Sequence, residues 1–255
     1  MIKLTDLNYG ICHLGMIPMR KENSHQSEMV SQLLYGECYK LIEKRKKWVK
    51  IRGEWDGYEG WIDHNQVHII SQEDFDKITQ SNLKISTDLV NYISTKNNLL
   101  FPILMGADLR ALKILEHQFE GKFHYPKKSK KALTDTAYLF LNAPYLWGGK
   151  TLMGIDCSGF TQIVYKINGI RLSRDAHQQA LQGQTLSFIE ESEAGDLAFF
   201  DNAEGNITHV GLLLENHHII HSCTSVRIDR IDQTGIFNLE TQNHTHKLRY
   251  IKKMI

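Results

Sequence analysis

The sequence lacks an excess of charge, a paired-cysteine motif and a long apolar run, and each absence removes a class of protein. Thirty Lys and Arg stand against 29 Asp and Glu, a formal net charge of +1 over 255 residues. So even a balance offers no broad basic face for nucleic acid or an anionic membrane. None of the four cysteines, Cys12, Cys38, Cys157 and Cys223, forms a C-x-x-C pair, which argues against a zinc ribbon or a thioredoxin-type site. A chain of this length needs no disulfide staples, so all four are expected as free thiols. No stretch approaches the ~18 apolar residues that span a bilayer. The opening Met1-Ile2-Lys3-Leu4-Thr5-Asp6 has no basic flank followed by an apolar stretch and a small-residue cleavage site, so it does not read as a signal peptide. The expectation is a soluble cytoplasmic protein, periplasmic or exported if a leader has been removed.

What is present is a 42% hydrophobic chain, enough for one large domain or two to three small ones. Residues 1–70 read as short strands broken by turns. Cys38-Tyr39-Lys40-Leu41-Ile42-Glu43 roughly alternates polar and apolar, and Trp48-Val49-Lys50-Ile51-Arg52 is joined to Tyr58-Glu59-Gly60-Trp61-Ile62 through the turn-prone Asp56-Gly57. Close-spaced strands with glycine punctuation predict a small β-barrel. In residues 71–126, Ser71-Gln72-Glu73-Asp74 would cap a short helix, and strand-like pieces follow around residues 89–93 and 99–104. A second, degenerate barrel or a linker region is expected there, with no clear internal repeat to support the barrel. The polar, basic Tyr125-Pro126-Lys127-Lys128-Ser129-Lys130-Lys131 marks a domain boundary, with a third region over 127–255.

That third region carries the candidate chemistry. Residues 132–142 have helical character, and Trp147-Gly148-Gly149 forms a loop before Asp156-Cys157-Ser158-Gly159. Phe160, Ile163, Val164 and Ile167 then recur at helical spacing, which puts Cys157 at the start of a helix. A thiol is a weak nucleophile until it ionises; a helix N-terminus favours the anion, and an imidazole can take its proton. His209 opens one predicted strand, and His221 lies 12 residues later on the next. A turn around Glu215-Asn216-His217 would bring the two roughly opposite each other, with His221 orienting His209 in the manner of a third triad member. Three predicted strands over residues 195–200, 209–214 and 218–222 complete an α+β core. The residues alone leave other readings open. Cys157 can be a small buried hydrophobe, each histidine can be structural, and Cys157, His209, His221 and Cys223 can be imagined around zinc, although structural-zinc spacing is missing.

The blocks "APYLWGGKTLMGIDCSGFTQIVY", "LSRDAHQQ", "AGDLAFFD" and "ITHVGLLLENHHIIHS" resemble, in order, the signature blocks of the NlpC/p60 cell-wall peptidases. "YEGWID" and the elements around it resemble the bacterial SH3-like domain. The resemblance implies a papain-like catalytic domain over 127–255, preceded by one or two SH3-like barrels. It implies Cys157 as nucleophile, His209 as base and His221 as its orienter, with no metal or organic cofactor. The order of domains resembles a narrower branch, the γ-D-glutamyl-L-diamino acid endopeptidases of the dipeptidyl-peptidase VI type. That branch takes cell-wall peptides with a free N-terminal L-Ala and releases L-Ala-γ-D-Glu. By motif, Asp175 matches its amine-binding aspartate, Glu28 and Tyr58 match residues that wall off its cleft, and Tyr145 matches a tyrosine beside the nucleophile. Asp156 and Ser158 match residues lining the substrate backbone, and Arg174, placed with the substrate-binding residues, is read either as a brace for the local carboxylates or as a surface residue. Ala176 departs from the branch, which often has a serine there. The rival readings are an exported hydrolase trimming intact wall and a catalytically inert module that binds wall peptides. Oligomeric state is not legible.

Overall fold

The computed structural model describes residues 8–255; the opening residues 1–6, weighed above as a leader, lie outside them. The chain divides between Pro126 and Lys127 into two compact units.

In the first unit, β1 (Tyr9–Ile11), β2 (Met16–Arg20), β3 (Met29–Leu34), β4 (Cys38–Lys44), β5 (Trp48–Gly53), β6 (Glu59–Asp63) and β7 (Ile69–Ile70) form one antiparallel sheet in the order β3-β2-β6-β5-β4-β1-β7. Ile17 and Met19 of β2 share a buried cluster with Leu33 of β3, Tyr39 of β4, Val49 and Ile51 of β5 and Ile62 of β6. One cluster can draw on five strands only if the sheet curls around it, which is the barrel that period-2 burial dictates. The predicted Asp56-Gly57 turn joins β5 to β6: Gly57 has φ 71°, and the Asp56 carboxylate accepts from the Tyr58 N–H at 2.9 Å, the local bond that makes Asp a turn former.

Residues 71–126 hold α1 (Gln72–Gln80) and five short strands. The Ser71 hydroxyl caps α1 by accepting from the Asp74 N–H at 3.0 Å. The strands β8 (Ile85–Ser86), β9 (Val90–Thr95), β10 (Leu100–Leu104), β11 (His117–Gln118) and β12 (Phe123–His124) form a three-stranded sheet, β10-β9-β11, and a two-stranded one, β12-β8. Phe75, Ile78 and Ala111 are buried together with Ile11, Cys38 and Ile70 of the barrel, and Ile93, Ile103 and Leu109 with Tyr35. Part of this segment's apolar surface is thus completed by residues that precede it, while Ile93, Ile103, Ala107 and Leu109 pack with one another around Tyr35.

In the second unit, α2 (Lys130–Tyr138) and the short hairpin β13 (Lys150–Thr151) and β14 (Gly154–Ile155) precede α3 (Cys157–Ile167) and α4 (Ala176–Gln179). Then come β15 (Gln184–Leu186), β16 (Leu197–Asp201), β17 (Ile207–Leu214), β18 (His218–Cys223), β19 (Ser225–Ile231), β20 (Gly235–Asn238) and β21 (Asn243–Lys253). They pair antiparallel in the order β15-β21-β16-β17-β18-β19-β20, and β21 also pairs with β20, so the sheet closes on itself. Ala198, Phe200, Leu213, Ile219, Ile231, Ile236 and Ile251 pack together as its apolar filling. Helix α3 packs against β17 and β18 and is buried along its whole length. Helices gathered beside an antiparallel sheet make this the expected α+β domain. Among the described residues no helix is long and apolar enough to cross a membrane.

Candidate active site

Cys157 is the first residue of α3, so its own N–H has no carbonyl acceptor within the helix. The helix starts here because Asp156 caps it: one carboxylate oxygen accepts from the Gly159 N–H at 2.6 Å, and the other accepts from the Gly148 N–H at 2.8 Å. Gly159 is required by close approach, since a Cβ there would lie 2.2 Å from the Gly149 carbonyl oxygen. The two-glycine loop thus lies directly on the first turn of the helix. Beneath it, the fully buried Arg174 guanidinium reaches Asp156 twice, at 3.1 and 2.6 Å, and the Ser158 hydroxyl at 2.9 Å. Asp156, Ser158 and Arg174 are 5%, 6% and 1% exposed, and their side chains bond to one another. Arg174 thus braces the Asp156 carboxylate and the Ser158 hydroxyl, and the three side chains form the foundation of the nucleophile's helix.

The Cys157 thiol is free, and the residue is 8% exposed. Its Sγ lies 4.0 Å from the Thr208 carbonyl oxygen and meets the backbone N–H groups of Val210 and Ser158, so it sits against the strand on both sides of His209. Burial, helped by the Asp156 charge, pushes the thiol up to about 12, against the pull of the Val210 N–H, Arg174 and the Ser158 N–H. Burial also holds His209 well below its ordinary value, reinforced by His221 and His246. Both shifts disfavour the charged forms, so ionisation of the sulfur calls for a base that takes its proton.

The His209 Nε2 and the His221 Nδ1 are 2.8 Å apart. Register places this contact on a diagonal, because His221 pairs with Gly211 and not with His209. The hairpin turn has Asn216 and His217 at φ 57° and 56°. Gly211 makes the diagonal reach possible: a Cβ there would lie 2.7 Å from the Ile219 Cδ1 and 2.9 Å from the His221 Cβ. Gly211→Ala is accordingly expected to cost about 1–3 kcal/mol in urea unfolding and to lower kcat roughly tenfold or more by displacing His221; an unchanged kcat would show that the diagonal tolerates the methyl.

Three groups at this end of the sheet escape the sequence reading. The His221 Nε2 lies 2.9 Å from the Asp229 carboxylate, Arg227 forks onto that carboxylate at 2.7 and 3.0 Å, and His246 stacks on His209 with ring centroids 4.2 Å apart. Arg227 pairs directly with His221, so the alternation Arg227-x-Asp229 one hairpin after His221 is the available signal. His246 carries none, because β21 reaches β20 only through the closure of the sheet.

Of the remaining candidates, Tyr145 forms a parallel bridge to Ile155, and its phenol is pushed up to about 12 by burial and by the proximity of Cys157 and Asp156. Asp175, half-buried, is the N-cap residue of α4 in a capping box with Gln178. Glu28 and Tyr58 belong to the first unit. Glu28 is exposed and pairs with Lys21 at 3.3 Å, and Tyr58 packs on the barrel core. A large open cleft in the second unit, lined by Lys130, Glu193, Asn216 and His218 among others, holds none of the cysteine–histidine groups.

The buried histidines set an acid limit. Burial, aided by His221, lowers His246 from 6.5 to about 4, so between those values the unfolded chain binds a proton that the fold refuses. Stability is full above about 6.5 and falls progressively towards 4, by up to about 3 kcal/mol from this one group. Urea unfolding of wild type and His246→Asn between pH 7 and 4.5 measures it: the wild-type curve should fall more steeply, and parallel curves would contradict the assignment.

A buried thiol at a helix start, set against a strand that carries an imidazole braced by a second imidazole, is the arrangement of a cysteine peptidase of the papain-like α+β kind. Residues 142–248 match the NlpC/P60 family, and residues 19–67 match the bacterial dipeptidyl-peptidase Sh3 domain. The probable endopeptidase NlpC of Escherichia coli is 34% identical over 41% of this chain and 69% of its own length. The γ-D-glutamyl-L-lysine dipeptidyl-peptidase of Bacillus cereus is 27% identical over 78% of this chain and 68% of its own. A crystal structure of an NlpC/P60 family protein from Bacillus cereus shares the fold with a TM-score of 0.77, covering 96% of this chain and 99% of that one at 20% identity. The chain belongs to the NlpC/P60 family, and it is a cysteine peptidase, a hydrolase.

Proposed function

We propose that this peptidase hydrolyses the γ-D-glutamyl–diamino acid bond of cell-wall (murein) peptides that begin with a free L-Ala, releasing L-Ala-γ-D-Glu. The observation that carries the catalytic part is the His209–His221 contact at 2.8 Å on the strand that flanks the Cys157 sulfur. The substrate part is supported by the likeness to the Bacillus cereus dipeptidyl-peptidase over 78% of this chain and by the match of residues 19–67 to the bacterial dipeptidyl-peptidase Sh3 domain. Asp175 is the carboxylate offered for the substrate ammonium, because a cation taken out of water needs a paired anion.

In the proposed reaction the Cys157 thiol passes its proton to the His209 Nδ1 as sulfur attacks the γ-carbonyl carbon. The negative oxygen is stabilised by backbone N–H donors at the start of α3, that of Cys157 above all. Collapse breaks the C–N bond, and His209 returns the proton to the leaving amine. Water, deprotonated by His209, then attacks the thioester; the C–S bond breaks, the sulfur takes the proton back, and the dipeptide leaves. No metal or organic cofactor enters these steps.

The test is L-Ala-γ-D-Glu-L-Lys, and the diaminopimelate analogue, with the L-Ala amine free or acetylated, followed by mass spectrometry. Release of L-Ala-γ-D-Glu from the free peptides is expected, with a loss of roughly 100-fold or more on acetylation, the scale of one buried ion pair left unpaired. Equal rates on both forms, or activity confined to whole sacculi, would instead favour a hydrolase of intact wall. Binding without any hydrolysis would favour the inert module.

A further inference from the structure

The hydrogen bonds at the closed end of the catalytic sheet have a direction, and one carboxylate decides it. Phe200, His209, Gly211, His221, Arg227, Asp229 and His246 share one face of the sheet by register, the face whose filling is apolar. His209 therefore has no bulk water to satisfy either ring nitrogen in an arbitrary tautomer. It is faced by Phe200 of β16, His221 of β18 and His246 of β21, and the Cys157 sulfur of α3 lies against the backbone on either side of it. His221 is faced by His209, by His246 and, from β19, by Asp229 and Arg227. Glu240 approaches the far side of Arg227 at 3.4 Å, and the His246 Nδ1 is taken up by the Thr245 hydroxyl at 2.9 Å.

We infer that Asp229, held by Arg227, is a positioning residue that sets the tautomers of both imidazoles and thereby makes the His209 Nδ1 the proton acceptor for Cys157. This rests on the reading of Cys157 and His209 as nucleophile and base. The reasoning is donor counting. Burial alone would raise the Asp229 carboxyl, but the hydrogen bonds from His221 and Arg227 outweigh it and hold the group below its ordinary value. An ionised carboxylate only accepts, so the His221 Nε2, 2.9 Å away, carries a hydrogen. In a neutral imidazole the other nitrogen is then an acceptor, so the His221 Nδ1 accepts, and the His209 Nε2 at 2.8 Å must donate. The remaining nitrogen of His209, Nδ1, keeps its lone pair. Arg227 adds two bonds that fix the plane of the carboxylate, and a planar fork does this as a point charge cannot.

Asparagine at 229 would keep the shape and undo the direction where its oxygen stays on the Arg227 Nη2: the amide nitrogen then stands in the Oδ2 position, gives up the Arg227 Nε bond made there and donates to the His221 Nε2. His221 would then donate from Nδ1 to the His209 Nε2, and the His209 Nδ1 would hold the proton it is meant to accept. In a serine triad, the wrong tautomer produced by an aspartate-to-asparagine change costs about 10⁴-fold. At one imidazole's remove a loss of roughly 10²–10³-fold in kcat is expected, with KM changed less than about threefold.

The deciding measurement needs no substrate. Long-range proton–nitrogen NMR of the wild-type histidines should show His209 and His221 both protonated at Nε2, with the His221 Nδ1 bare. A wild-type His221 protonated at Nδ1 overturns the inference without recourse to any variant. In Asp229→Asn the pattern should reverse, and the rate of iodoacetamide alkylation of Cys157, read by peptide mass spectrometry against pH, should fall with it. Arg227→Gln leaves the acceptor in place, so tautomers are retained and kcat falls less than about tenfold. Unchanged tautomers in Asp229→Asn, or a loss in Arg227→Gln as large as in Asp229→Asn, would assign the effect to packing and overturn the proposal. If wild type turns over no murein peptide, the substrate reading fails while the NMR and alkylation results still decide this one.

Discussion

Cys157→Ala is expected to lower kcat on the peptide substrate by at least about 10⁴-fold, because no other group at the site can form the thioester. The fold should barely register the change. The sulfur's contacts are the weak ones a thiol makes, to the Thr208 carbonyl at 4.0 Å and to the Val210 and Ser158 N–H groups, so a stability loss of about 1 kcal/mol is expected for so small a deletion. Peptide affinity, measured by calorimetry, should stay within about threefold of wild type, since the substrate ground state does not need the thiol. Cys157→Ser should be nearly as inactive. A hydroxyl ionises far less readily than a thiol, and the desolvation that pushes the thiol up to about 12 acts on an alkoxide as well. Cys223→Ser, a substitution of another free and partly exposed cysteine, is the control that separates thiol chemistry in general from Cys157 in particular. Retention of more than about 1% of kcat by Cys157→Ala would move the nucleophile elsewhere.

The largest expected loss of stability belongs to Arg174→Met. Methionine approximates the volume of the side chain but removes the buried donors to Asp156 and Ser158. The guanidinium makes two contacts with Asp156 and one with Ser158, all in a setting almost without solvent. Breaking a buried pair by removing one partner leaves an uncompensated charge, at a cost of about 3–5 kcal/mol, or on the order of 10 °C in the melting of a unit of this size. Activity should fall as well, because Asp156 also caps the helix that carries Cys157. The double variant with Asp156→Asn should recover part of the loss, since the orphaned charge is then gone. A single-variant loss below about 1 kcal/mol would mean that the pair contributes little beyond filling space.

How far each feature can be read from the chain depends on how local its cause is. The capping serine of α1, the Asp56-Gly57 turn and the apolar spacing of α3 are set by residues within a few positions of one another, and the structure has all three. Residues 71–126 stay open in the sequence because their strands are short and part of their buried surface is completed by Ile11, Tyr35, Cys38 and Ile70, which lie outside the segment. Arg174 stands open in the sequence between a surface place and a brace for nearby carboxylates; it is internal, because Asp156 and Ser158, 18 and 16 positions earlier, converge on it.

By itself the amino-acid order determined the pieces of chemistry: a cysteine at a helix start, two histidines one hairpin apart, and a barrel of short strands before them. These are properties of neighbouring residues, written in period and spacing. Only tertiary structure decided that His209 meets His221 on a diagonal across Gly211, that Asp229 and Arg227 stand behind them, and that His246 covers the base. Sheet closure through β21 brings these side chains together from separate strands, and register between distant strands is the sum of turns and bulges that no single segment contains.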